Sequence, residues 1–97
     1  MIAHRYLPLA REELNEAASF YEARVPGLGA AFLDDVERSI EMICESPRIG
    51  VAAGRTFRKV PLRRFPYSMI YALRGEEVVI VAVAHQRKRP GYWRRRQ

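Results

Sequence analysis

YSMIYALRGEEVVIVAVAH, residues 67–85, contains two strand patterns around one turn. Tyr67, Met69, Tyr71 and Leu73 alternate with Ser68, Ile70 and Ala72, the period-two pattern of a strand. Arg74-Gly75-Glu76 is a hairpin turn signal. Val78 to Ala84 is apolar at every position and rich in Val, which predicts a central strand buried on both faces. In this reading Val79, Val81, Val83 and His85 share one face, and Arg87 continues their parity if the strand runs that far.

The pattern extends upstream. Thr56–Leu62 predicts a further strand, with Pro61 placing its end at an edge or terminus. The stretch RIGVAAGR, residues 48–55, carries two glycines and predicts a loop. Before it, Leu28, Phe32, Val36, Ile40 and Ile43 recur at spacings of three and four, one stripe of a helix that Ser46-Pro47 ends. An earlier stripe, Ala10, Leu14, Ala17, Ala18, Tyr21 and Val25, predicts another helix, started by Pro8 and broken at Pro26-Gly27. Ile2–Leu7 predicts a short first strand. The expected fold is α+β: an N-terminal strand, a two-helix hairpin, then a three-stranded antiparallel sheet (β-α-α-β-β-β) with the helices on one face.

Composition bounds the rest. Ninety-seven residues, 48% of them hydrophobic, predict one domain over 1–97. A single cysteine, Cys44, excludes a disulfide-stapled fold, and its place beside the core stripe predicts a small buried hydrophobe. The N-terminus has no apolar h-region, and the longest apolar run, Val78–Ala84, is far short of the roughly 20 residues of a spanning helix. The expected location is the cytoplasm, with no membrane partner. His4, His85 and Cys44 are scattered, so neither a metal nor another cofactor is expected. Gly27-Leu28-Gly29 lacks the remainder of a phosphate loop.

Charge is divided sharply. Residues 1–47 hold four Arg and nine acids, whereas residues 48–97 hold 13 Lys+Arg and two acids. Fifteen of the 17 basic residues are Arg, whose planar fork suits phosphate and carboxylate. The asymmetry points to a polyanionic or acidic partner. The predicted hairpin gathers Arg63, Arg64, His85, Arg87, Arg89 and Tyr92 at one end of the sheet. Two chemistries suit such a cluster: proton transfer by His85 or Tyr92 with Arg on a phosphate, or recognition without chemistry. Trp93 is expected to fold the tail against the core, and Arg94-Arg95-Arg96 to form a solvated terminus.

Several segments, in this order, carry a family resemblance: LAREELNEAASFYE (9–22), Gly27-Leu28-Gly29 before AFLDDVERSI (31–40), Ser46-Pro47, Arg58, RRFPYSMIY (63–71) and AVAHQRKRPGYWRRR (82–96). Over nearly its whole length the chain resembles the RelE/ParE superfamily of bacterial type II toxin–antitoxin toxins. The resemblance implies the same α+β fold and a cognate acidic antitoxin bound in a heteromeric complex. Phe32, Val36, Ile40 and Tyr67 are the antitoxin-binding candidates. One branch of the superfamily cuts mRNA on the ribosome, and the other, ParE, poisons DNA gyrase by binding. The Phe65-Pro66-Tyr67 segment and the ending His85 to Trp93 look ParE-like. Ser68 and Pro61 stand where the nuclease branch places basic residues, while Lys59 matches it. Gyrase inhibition is therefore the expected function, with Arg58, Arg63, Arg64, Arg87, Arg89 and Trp93 as target-binding candidates. The alternatives are a ribosome-dependent endoribonuclease, with His85, Tyr92, Arg87 and Lys59 as catalytic candidates, or an inactive relative that serves as a binding module.

Overall fold

The computed structural model describes residues 1–96. The elements are β1 (Ala3–Tyr6), α1 (Pro8–Arg24), α2 (Leu28–Glu45), β2 (Val51–Ala52), β3 (Phe57–Pro61), β4 (Tyr67–Arg74) and β5 (Glu77–His85). They build one five-stranded sheet in the order β1-β5-β4-β3-β2. The α+β class agrees with the sequence reading, and so does the element order apart from one added strand, β2. The sheet is mixed rather than purely antiparallel, because β1 runs parallel to β5 while the other neighbours are antiparallel. The helical hairpin makes this possible, since a parallel partner needs a long crossover before the chain can return.

Residues 48–55 are not wholly loop. Val51 and Ala52 pair with Lys59 and Arg58, forming the short edge strand β2. Side chains hold the segment there. The buried Tyr71 hydroxyl accepts the Gly50 N–H at 3.0 Å and donates to the Pro47 carbonyl at 2.7 Å. Arg58 donates to the carbonyls of Arg48 and Gly50.

The hairpin β4–β5 forms the centre. Arg74 pairs with Glu77, leaving Gly75-Glu76 as the two-residue turn, and Gly75 has φ +62°. A left-handed residue at the first turn position matches the twist of the two strands, and glycine adopts it without strain. Farther along, Ile70 pairs with Ala82 but Tyr71 pairs with Ile80. Val81 is thus an extra residue, a β-bulge, and it inverts the parity of β5. The single face predicted for Val79, Val81, Val83 and His85 is corrected accordingly. His85 and Val83 share a face with Tyr67, Met69 and Tyr71, whereas Val79 lies with Ala72 on the opposite one. The strand ends at His85, so Arg87 continues no parity.

The helices cover the face of Tyr67 and Met69, where Phe32 of α2 and Tyr21 of α1 pack against Tyr67. The two helices approach closely at Gly29, where a Cβ would lie 2.7 Å from the Ala18 carbonyl. Glu22 caps α2 from the end of α1 by accepting the Gly27 and Gly29 N–H groups at 3.0–3.1 Å. A carboxylate already occupies the positive end of that helix, which is why the glycine pair there is no phosphate loop.

Candidate basic and aromatic site at the sheet end

Tyr67 opens β4 and His85 closes β5, and the register sets them opposite one another with ring centroids 5.0 Å apart. Behind them lies an aromatic cluster in which Phe32 meets Tyr67 at 5.2 Å and Tyr21 meets Phe65 at 4.8 Å. The sheet end therefore carries a half-buried rim above a packed base.

The two proton-transfer candidates are each held by one hydrogen bond, His85 at Nδ1 and Tyr92 at its hydroxyl. His85 Nδ1 accepts the Arg87 backbone N–H at 3.0 Å. Neutral His85 is thereby the Nε2–H tautomer, with no lone pair at Nε2 to act as a base. The Tyr92 hydroxyl donates to Glu13 Oε2 at 2.6 Å. Burial, then the hydrogen bond and the charge of Glu13, push the Tyr92 hydroxyl pKa far above the ordinary phenol range. It keeps its proton at any physiological pH.

Glu13 ties the tail to the fold. Besides Tyr92 it takes both guanidinium nitrogens of Arg96, at 2.9 and 3.0 Å, and the Val83 N–H at 3.0 Å. Arg96 also donates to the Val81 carbonyl. These main-chain groups lie beyond Ile80, where the pairing with β1 stops. A side-chain cluster thus satisfies the stretch of β5 edge that the short first strand leaves bare. Arg96 belongs to the folded structure, not to a solvated terminus. Sequence reasoning missed Glu13 although a signal was present: it lies three residues after Ala10 and four before Ala17, half-buried at the border of the buried stripe. Asp35 was missed in the same way. It follows Phe32 by three on the buried face of α2 and accepts the Arg64 backbone N–H at 2.9 Å.

The remaining candidates divide. Trp93 is buried at 7% exposure, packed on the sheet face opposite the helices. Arg58 is spent on the loop carbonyls described above. Lys59, Arg63, Arg64, Arg87 and Arg89 are exposed, and the Arg64 guanidinium stands 5.8 Å from the Phe65 ring. Phe32, Val36 and Ile40 are core residues, at 0%, 2% and 6% exposure. The apolar groups that α2 presents to solvent are Leu33 and Met42. Val36 and Ile40 do border a groove of about 510 Å³ between β1 and the helices, together with Tyr6 and Leu33. Cys44 is buried among core residues, and burial raises its thiol pKa. Among the described residues no cluster of His, Cys, Asp and Glu is arranged to hold a metal.

Against this geometry, the family model described as the ParE toxin of the type II toxin–antitoxin system, parDE, matches residues 5–90. The chain belongs to the ParE toxin family. The solved structure titled "Chromosomal ParDE TA system from P. aeruginosa" superposes with a TM-score of 0.76. It is 17% identical, covering 88% of this chain and 96% of that one, so the likeness is one of fold. No curated protein matches the chain. Membership in the ParE family implies a cognate antitoxin. It also directs attention to the unpaired charge of this ParE-type domain. Of the 13 basic residues in the second half, Arg96 alone makes a salt bridge among the described residues. No helix is long and apolar enough to cross a membrane.

Proposed function

We propose that this chain is the toxin of a type II toxin–antitoxin pair, that it inhibits DNA gyrase by binding rather than by catalysis, and that an acidic antitoxin neutralises it. One observation carries the choice of binding over chemistry. Neither group able to move protons at the sheet end offers a free base: His85 Nδ1 accepts a backbone N–H, and the Tyr92 hydroxyl donates to Glu13. What remains open there is charge: Arg63, Arg64, Arg87 and Arg89 are exposed and have no acidic partner among the described residues. Such a surface recognises an acidic or phosphate-bearing partner and steers its approach. Family membership supports the same reading.

The test is plasmid supercoiling by gyrase with increasing amounts of the purified chain. The expected outcome is inhibition with cleaved DNA trapped on the enzyme, retained in His85→Ala. Loss of a general acid or base in a nuclease lowers the rate by about 10²–10⁴. A folded His85→Ala protein that no longer arrests growth, together with unimpaired supercoiling, would overturn the proposal in favour of RNA cleavage.

A further inference from the structure

Among the described residues Asp35 is the only charged side chain that the fold buries, at 1% exposure. It stands on the stripe of α2 that also carries Phe32, Val36 and Ser39. Burying a carboxylate is costly, and an apolar residue of similar volume in its place is often neutral or stabilising. The Asp35 carboxylate is also only partly satisfied. Its Oδ2 accepts the Arg64 N–H at 2.9 Å. Its Oδ1 has no hydrogen-bond partner among the described residues, and the half-exposed guanidinium of Arg38 stands 3.5 Å away. What the buried carboxylate supplies in return is one fixed amide at the surface.

That amide lies in the turn between β3 and β4, which carries Arg63 and Arg64. The ends of the turn are held by other groups. The Leu62 N–H donates to the Tyr67 carbonyl, the Tyr67 N–H to the Phe65 carbonyl, and the Gln86 N–H to the Pro66 carbonyl, each at 2.8 Å. Phe65 is buried against Phe32, with ring centroids 5.3 Å apart. Between these anchors Arg63 and Arg64 face solvent. Among the described residues, the bond to Asp35 is the only hydrogen bond that the main chain of either arginine makes. Arginine recognises a carboxylate or phosphate through a planar fork, so its placement matters, and a turn ordered in advance does not have to be ordered on binding.

Resting on the gyrase reading, we propose that Asp35 is a positioning residue for target binding: from inside the fold, its carboxylate fixes the turn that presents Arg63 and Arg64 to an acidic or phosphate-bearing surface of the target.

Three variants test this role. Asp35→Leu removes the acceptor and suits the apolar stripe, so its stability to urea should hold or rise. Asp35→Ala removes the acceptor with a smaller side chain. Asp35→Asn keeps an oxygen able to accept the Arg64 N–H. The first readout is hydrogen exchange at the Arg64 amide, measured without any target. Exchange should be faster in Asp35→Leu and Asp35→Ala, and protection should persist in Asp35→Asn. The second is the concentration of folded chain that half-inhibits gyrase supercoiling. It should rise about tenfold in the Leu and Ala variants, the order expected when backbone must be ordered on binding, and stay within about twofold of the unaltered chain in Asp35→Asn. A carboxylate with a merely structural role would change stability and leave inhibition by the folded variants as it was, which would overturn the proposal. Equal protection of the Arg64 amide in Asp35→Leu would overturn it as well. An unaltered chain without effect on gyrase brings down the gyrase reading and this proposal together, whereas equal inhibition by the unaltered chain and Asp35→Leu brings down this proposal alone.

Discussion

Among single side chains, Glu13 does the most to shape this molecule. One carboxylate accepts a phenol, a guanidinium and a main-chain N–H, and so joins α1, β5 and the tail. Glu13 and Arg96 are only 15% and 14% exposed, so removing one partner leaves the other poorly solvated. Glu13→Ala is expected to lower stability by about 3 kcal/mol, measured by urea denaturation. Tyr92→Phe should lose about 2 kcal/mol, the worth of a hydrogen bond to a charged group. These phenols also set the alkaline limit. Burial, opposed by Arg11 and reinforced by Glu37, raises the Tyr6 pKa to about 12, and Tyr92 is raised further. The folded state therefore holds protons that the unfolded chain releases above its ordinary phenol pKa of about 10. Their contribution is intact below pH 10 and is lost as pH climbs through the folded values. A pH series of urea midpoints should fall above pH 10, and less steeply in Tyr92→Phe.

Between elements, the decisive contacts lie where helices and strands begin. Glu22 closes the N-terminus of α2 from the preceding helix, joining a capping hydrogen bond to a favourable charge at the helix dipole. Glu22→Ala should cost about 1 kcal/mol. Gly29→Ala forces a methyl against the Ala18 carbonyl and should cost about 1–3 kcal/mol by separating the helices. Both are readable as shifts in thermal midpoint. The bulge at Val81 acts at the same level. It turns His85 toward the helices and leaves Ala82 and Ala84 on the face that Trp93 covers.

For the molecule as a whole, the governing feature is basic charge of which the fold itself uses little, chiefly Arg58 and Arg96. The second half is strongly basic, yet among the described residues Arg96 is the only one of its basic residues in an ion pair, with Glu13. Association with an acidic partner should slow by at least about tenfold between roughly 50 and 500 mM salt, measured by stopped flow, because screening shortens the reach of exposed charges. A rate that ignores salt would mean that the basic surface plays no part in the encounter. The tail is the second whole-molecule feature. Deleting residues 90–97 would bare both the β5 edge and the apolar face under Trp93. Lower stability and concentration-dependent self-association should follow, the latter visible by sedimentation.

Local patterns were sufficient for much of this. The alternation in Tyr67–Leu73, the Val-rich run and the glycine turn define the central hairpin, and the two apolar stripes define the helices, because period and turn chemistry act over a few residues. The division of charge, the lone buried cysteine and the family resemblance were equally legible. Tertiary structure decided the rest. Alternation cannot announce a bulge, so it does not give the face of His85. No local signal says that a first strand runs parallel to the last, since that pairing depends on where the helices return the chain. The roles of Glu13, Asp35 and Arg96 are settled by partners distant in sequence, and an acid on a buried stripe acquires meaning only when the strand or loop it satisfies arrives beside it.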